Sequence, residues 1–192
     1  MAAIGERRFA RGACSIRLWR VPTILHISTR LILGGSQENT VLSCEGQARL
    51  GHRVHLAFGP IYGPEGSLLE RVERFNERCA RGEERVSPVG DAGAVRGVGE
   101  PVAPIGIHIV PDLVRQVSPV RDWKCRGQLK RLIESLRPDV VHTHSSKAGI
   151  LGRGAAWSES AKGPRGERAK SEPAMRVVHT IHGPPFMPVE GG

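Results

Sequence analysis

Three short segments hold most of the chemistry this chain can do. His142-Thr143-His144 runs into Ser145-Ser146-Lys147, His179-Thr180-Ile181-His182 runs into Gly183-Pro184, and Leu31-Ile32-Leu33 runs into Gly34-Gly35-Ser36. Imidazoles donate, accept and transfer protons near neutral pH. A glycine pair ahead of a helix presents bare backbone N–H groups to an anion. Gly34-Gly35 is neither GxGxxG nor a P-loop, so a tight turn is the competing reading. Four imidazoles on two segments also form a donor set for zinc, but neither segment contains an Asp or Glu to act as bridging ligand or base, and no metal centre is expected. His142 and His179 read as strand residues with local hydrogen bonds. His144 and His182 lie past the strands and are the better ligand contacts. Ser145 or Ser146 suits a helix cap. Lys147, in the first helical turn, opposes the helix dipole and is expected to face an anion.

Each segment follows a run of Val, Ile and Leu that reads as a buried strand. Strands are expected at 23–29, 53–58, 105–110, 139–143 and 175–181. Between them, helical spacing predicts a helix from Ser36, capped by that serine with Glu38 in its first turn and closed by Gly51. Further helices are predicted over 66–79, 121–137, where Leu129, Leu132, Ile133 and Leu136 share one face, and 147–157, softened by Gly149, Gly152 and Gly154. Alternation of strand and helix specifies an α/β, Rossmann-like, doubly wound domain with a mainly parallel sheet. Loops after parallel strands open on one edge, where ligands bind, so the three segments are expected to share a cleft. Residues 1–22 read as a basic leader outside the core, and 80–104 and 158–173 as mobile, solvated insertions.

At 192 residues the chain has room for one core. Aromatic residues are only 4% of it, so that core must be aliphatic. Of the net charge of +9, residues 1–22 supply +4, from five arginines against Glu6. Such a balance suits phosphorylated ligands, anionic lipid or nucleic acid. One tyrosine, few other aromatics and no RNP or KH signature argue against specific nucleic-acid binding. Four dispersed cysteines without CxxC exclude a disulfide framework or zinc knuckle. With no apolar run of membrane-spanning length and no secretory signal, a cytoplasmic protein is expected, held at the inner membrane face by at most loose electrostatic attachment.

Taken in order, the motifs resemble the amino-terminal domain of GT-B glycosyltransferases of family 4, over about residues 23–187. They are Ile24-Leu25-His26-Ile27, Gly34-Gly35-Ser36-Gln37-Glu38, Leu50-Gly51-His52-Arg53-Val54, Arg137-Pro138-Asp139-Val140-Val141-His142-Thr143-His144-Ser145-Ser146-Lys147-Ala148-Gly149-Ile150-Leu151-Gly152-Arg153, and Val178-His179-Thr180-Ile181-His182-Gly183. The resemblance implies a retaining transferase that moves a sugar from a nucleotide-sugar donor to a glycan or glycolipid acceptor, without a further cofactor. It assigns Gly34, Gly35, Ser36 and Gln37 to the phosphate-side loop, His144, Ser145, Ser146 and Lys147 to a cleft-lining loop, and His182 to the active-site histidine. Gly154 departs from the larger apolar residue usual there. The donor-binding domain with its paired glutamates is not among these residues. The expectation is therefore an acceptor-side half, inactive alone and completed by a donor domain, which could be separately encoded. The alternative from another class is a non-catalytic basic module for polyanions such as RNA or an anionic membrane surface. Salt-sensitive binding to any polyanion would mark it.

Overall fold

The computed structural model describes residues 21–61, 66–87, 99–161 and 175–182. The elements alternate as expected: β1 (Thr23–Ser28), α1 (Gly35–Arg49), β2 (Arg53–Phe58), α2 (Leu69–Ala80), β3 (Gly106–Ile109), α3 (Pro119–Leu136), β4 (Val140–His144), α4 (Ser146–Ser160) and β5 (Arg176–Thr180). All four pairings are parallel, in the order β3-β2-β1-β4-β5. Helices pack on both faces, which makes this a Rossmann-like α/β domain.

The period-two alternation of β1 sorts the core into two layers. Leu25 and Ile27 face α3 and α4, where they join Ala57, Leu113, Cys125, Leu129, Ile133 and Val141. On the other face, Leu56 and Phe58 of β2 pack with Val41 and Cys44 of α1 and with Val72 and Phe75 of α2. The three described cysteines are buried free thiols. Gly149 and Gly152 let α4 lie close on the sheet. A Cβ at Gly149 would stand 2.6 Å from the His179 ring, and one at Gly152 would stand 2.8 Å from Thr143 and 3.1 Å from Ile27. These glycines weaken the helix but permit the contact it is built on.

Several sequence expectations shift. Gly34, not Ser36, is the N-cap of α1, and Ser36 is its second residue. Gly51 does take the left-handed conformation just past the helix (φ 84°). α2 begins at Leu69 rather than at 66, with the Ser67 hydroxyl accepting from the Leu69 N–H at 2.9 Å. Pro119 opens α3 two residues early. α4 extends to Ser160, so residues 158–160 are helix and not insertion. Parts of 80–104 are packed rather than loose: Arg85 bridges to Pro101, Val102 is buried, and Glu84 takes ion pairs from Arg49 and Arg78, both at 2.9 Å. Those two arginines pull the Glu84 carboxyl down to about 2. Residues 88–98 and 162–174, and residues 1–20 of the leader, lie outside the described residues.

Gly59, just after β2, makes the closest backbone approach of the described glycines. A Cβ there would lie 1.7 Å from the Leu113 carbonyl oxygen and 2.8 Å from that of Thr29. Neither neighbour is a flexible side chain, so we predict that Gly59→Ala costs about 1–3 kcal/mol and lowers the melting temperature by several degrees. Thermal denaturation of the two proteins measures it; an unchanged midpoint would show that the crossing relaxes freely.

Candidate active site

The carboxyl edge of the sheet collects the chemistry. The register pairs His26 with His142, and Ser28 with His144, so β1 and β4 carry a row of imidazoles on one face. His26 and His144 are buried, at 0% and 1% exposure. Buried imidazoles need partners, and the partners form a chain. His26 Nε2 meets Gln47 Oε1 of α1 at 2.7 Å, His26 Nδ1 meets His144 Nε2 at 2.9 Å, and His144 Nδ1 meets His182 Nε2 at 3.1 Å. His142 lies beside it, its ring centre 4.9 Å from that of His26 and 4.2 Å from that of His144, with Nε2 on the Thr180 hydroxyl at 2.7 Å. His179 points to the opposite face, where its Nδ1 meets the Thr143 hydroxyl at 2.9 Å.

Burial disfavours the charged imidazolium. It is the main cause that pulls His26 down to about 4 and His144 to about 2, with neighbouring histidines adding to it in both. His142 and the exposed His182 are also lowered, again chiefly by burial. His26, His142 and His144 offer ring nitrogens within 4.8 Å of one another, a spacing that a transition metal could span. In this structure the nitrogens of His26 and His144 are already engaged with each other, Gln47 and His182.

His144 is thus not past a strand, as its position suggested, but is the buried last residue of β4, and its neighbour His182 is the exposed one. Ser145 is the N-cap residue of α4, as expected of one of the two serines, but neither it nor Ser146 makes a side-chain capping hydrogen bond. Thr29, the residue after β1, does that work: its hydroxyl accepts from the Ala148 N–H at 3.2 Å and meets the Ser145 hydroxyl at 2.7 Å. Ser145 holds φ 67° to make this turn, strained backbone of the kind that concentrates at functional sites. Ser146 is exposed in the first turn of α4. The anion that Lys147 faces is Asp122 of α3, at 2.6 Å, and its ammonium also donates to the Gln116 carbonyl. Gly34 and Gly35 are exposed at the start of α1, where no side chain caps the helix and a Cβ at Gly35 would meet nothing within 4 Å. The Ser36 hydroxyl donates to Gln37 Oε1 at 2.7 Å. Sequence reasoning missed His26 and Gln47 as parts of the site. A histidine at an inward-facing position of β1 was the available signal for His26; Gln47 left none.

Fold and edge together define a Rossmann-like domain with a helix N-terminus that no side chain caps and an exposed histidine. The family described as glycosyl transferase 4-like domain matches residues 34–192, and the chain belongs to it. It is also 43% identical over 74 residues to the UDP-Gal:alpha-D-GlcNAc-diphosphoundecaprenol alpha-1,3-galactosyltransferase of Escherichia coli. The match covers 38% of this chain and 16% of that protein's length.

The buried imidazoles set a pH dependence. Unfolded, they titrate near 6.5; folded, His26 and His144 stay neutral down to about 4 and about 2. Because the folded values are depressed, the stability is complete above the unfolded value and is lost as pH falls, since the unfolded chain binds protons the native state refuses. We predict a melting temperature that is level between pH 7.5 and 8.5 and declines from 6.5 to 5. The slope approaches about 1.4 kcal/mol per pH unit for each imidazole. A level profile down to pH 5 would show that these rings charge in place.

Proposed function

We propose that this domain is the acceptor-side half of a retaining glycosyltransferase. It moves a sugar from a nucleotide-sugar donor to a glycan or lipid-linked acceptor, and it turns over only when a donor-binding domain completes the cleft. The observation that carries the reading is the sharing of one sheet edge by the uncapped α1 N-terminus at Gly34-Gly35 and the exposed His182. Backbone N–H groups and the helix dipole at Gly34 and Gly35 suit the donor phosphates, with Ser36 and Gln37 flanking them. His182 then meets a hydroxyl of the sugar or acceptor. Ser146 lines the same edge; Ser145 and Lys147 shape the loop through Thr29 and Asp122.

The acceptor class follows the relative's printed substrate, a sugar on diphosphoundecaprenol. An acceptor on a lipid carrier brings the enzyme to a membrane surface. No helix among the described residues is long and apolar enough to cross one. The outer face of α3 suits a loose contact instead: Val120 and Trp123 are 65% and 77% exposed beside exposed Arg121, Lys124 and Arg131.

The test incubates the purified chain with common nucleotide sugars and polyprenyl-diphosphate-linked N-acetylglucosamine in anionic vesicles. No turnover is expected from the chain alone, because positioning both reactants can be worth roughly 7–11 kcal/mol. Turnover is expected once a donor-binding domain is supplied. In that competent enzyme, Gly35→Val should lower turnover by about 100-fold by blocking phosphate approach. His182→Ala should lower it by a similar factor, about 100-fold. Gly35→Val should melt nearly as the parent does, and His182→Ala should melt only a few degrees lower, because it leaves the buried His144 Nδ1 without its partner. Robust turnover by the chain alone would refute the half-enzyme reading, and a melting loss proportionate to the activity loss would make His182 a packing residue.

A further inference from the structure

The histidine chain has a direction, and one residue decides it. A neutral imidazole carries one N–H and one lone pair, and burial keeps His26 and His144 neutral. Gln47 turns its amide oxygen to His26, and an amide oxygen only accepts. His26 must then carry its proton on Nε2 and offer a lone pair at Nδ1. The ring nitrogen facing that lone pair is His144 Nε2, which must therefore hold the proton of His144. His144 Nδ1 is then an acceptor, and the nitrogen facing it, His182 Nε2, must donate. Two buried rings thus transmit one requirement from α1 to the exposed edge. The neighbouring histidines do not interrupt the chain, because His142 places its Nε2 on Thr180 and His179 bonds to Thr143 on the other face of the sheet.

We infer that Gln47 is a positioning residue that fixes the tautomer of His182, so that His182 meets its ligand through an unprotonated Nδ1. The inference rests on the reading of His182 as the ligand-facing group. It also narrows that group's partner. A bare Nδ1 accepts from a hydroxyl and repels a phosphate oxygen, so His182 recognises a sugar or acceptor hydroxyl, and the phosphates are left to Gly34 and Gly35. Turning the Gln47 amide over would reverse every bond in the chain and leave His182 with its proton on Nδ1. The side chain of Gln47 therefore sets the chemistry of a group three hydrogen bonds away.

The experiment needs no substrate. The full chain, labelled with ¹⁵N in its histidines, is measured by NMR at pH 7.5. Expected are protons on Nε2 of His26, His144 and His182, and ¹⁵N–¹⁵N couplings across hydrogen bonds that run from His182 Nε2 to His144 Nδ1 and from His144 Nε2 to His26 Nδ1. Gln47→Leu should speed exchange of the His182 N–H with solvent by about tenfold, the worth of one hydrogen bond, and should shift its ring nitrogens. In a His144→Leu background, Gln47→Leu should add nothing at His182. A proton on His182 Nδ1, missing couplings in the parent, or an unchanged His182 in Gln47→Leu would each overturn the inference. If Gln47→Leu does not fold, the direction of the couplings in the parent decides alone. A chain directed as described in an enzyme that transfers no sugar would sink the functional reading and leave this one standing.

Discussion

A buried imidazole has to stay neutral and have its ring nitrogens answered, and the structure places His26 and His144 side by side under that constraint at the carboxyl edge of the sheet. Each ring has only one proton to give. The solution in this structure is a directed chain, with an acceptor at one end and an outlet at the other. Gln47 on α1 is the first and His182 past β5 is the second. The position of α1 over β1, the parallel register of β1, β4 and β5, and the run of chain to His182 all serve this row. The same row makes the domain sensitive to acid, since protonating either buried ring leaves a charge and a mismatched donor in a site that burial makes hostile to both.

Close approach is the second constraint. α4 reaches the sheet because Gly149 and Gly152 face it with Ala148, Ala155 and Ala156. That approach brings the start of α4 to Thr29, whose hydroxyl stands in for a cap and draws Ser145 into a strained turn. Around α1 and α2 the ties are ionic. Arg71 of α2 holds the buried Glu45 of α1 through two hydrogen bonds, at 2.7 and 3.0 Å, while Arg49 and Arg78 hold Glu84. Removing one member of the Glu45 pair would strand a buried carboxylate or leave its arginine unmatched. The basic composition is thus partly spent inside the domain, on Arg49, Arg71 and Arg78, and partly displayed on α3.

Local patterns carried much of the fold in the sequence. Short β-branched strands alternating with helical spacing specified the element order, and a parallel sheet follows because each connection contains a helix. Gly34-Gly35 and His182 could be read as edge residues because each follows a strand. The family was legible from the order of the motifs. Contact between residues distant in sequence is another matter. His26 and His144 are 118 residues apart, and Lys147 and Asp122 are 25 apart; nothing local shows that one pair shares a hydrogen bond and the other an ion pair. Composition gave no warning that the flanks of 80–104 would pack, because Glu84 and Val102 are ordinary loop residues until Arg49, Arg78 and the core meet them.

The sequence by itself determined the class of domain, the edge that carries the chemistry and the residue types available there, because hydrophobic period and turn chemistry act over a few residues. Only the tertiary structure decided which polar groups answer one another. It made His144 a buried link between His26 and His182, turned Lys147 inward to Asp122, supplied the capping hydroxyl of α4 from Thr29, and brought in Gln47 from a helix where nothing marked it. The physical reason is that hydrogen bonds and ion pairs reach only about 3 to 4 Å. Which groups come within that reach is set by the register and packing of the whole sheet.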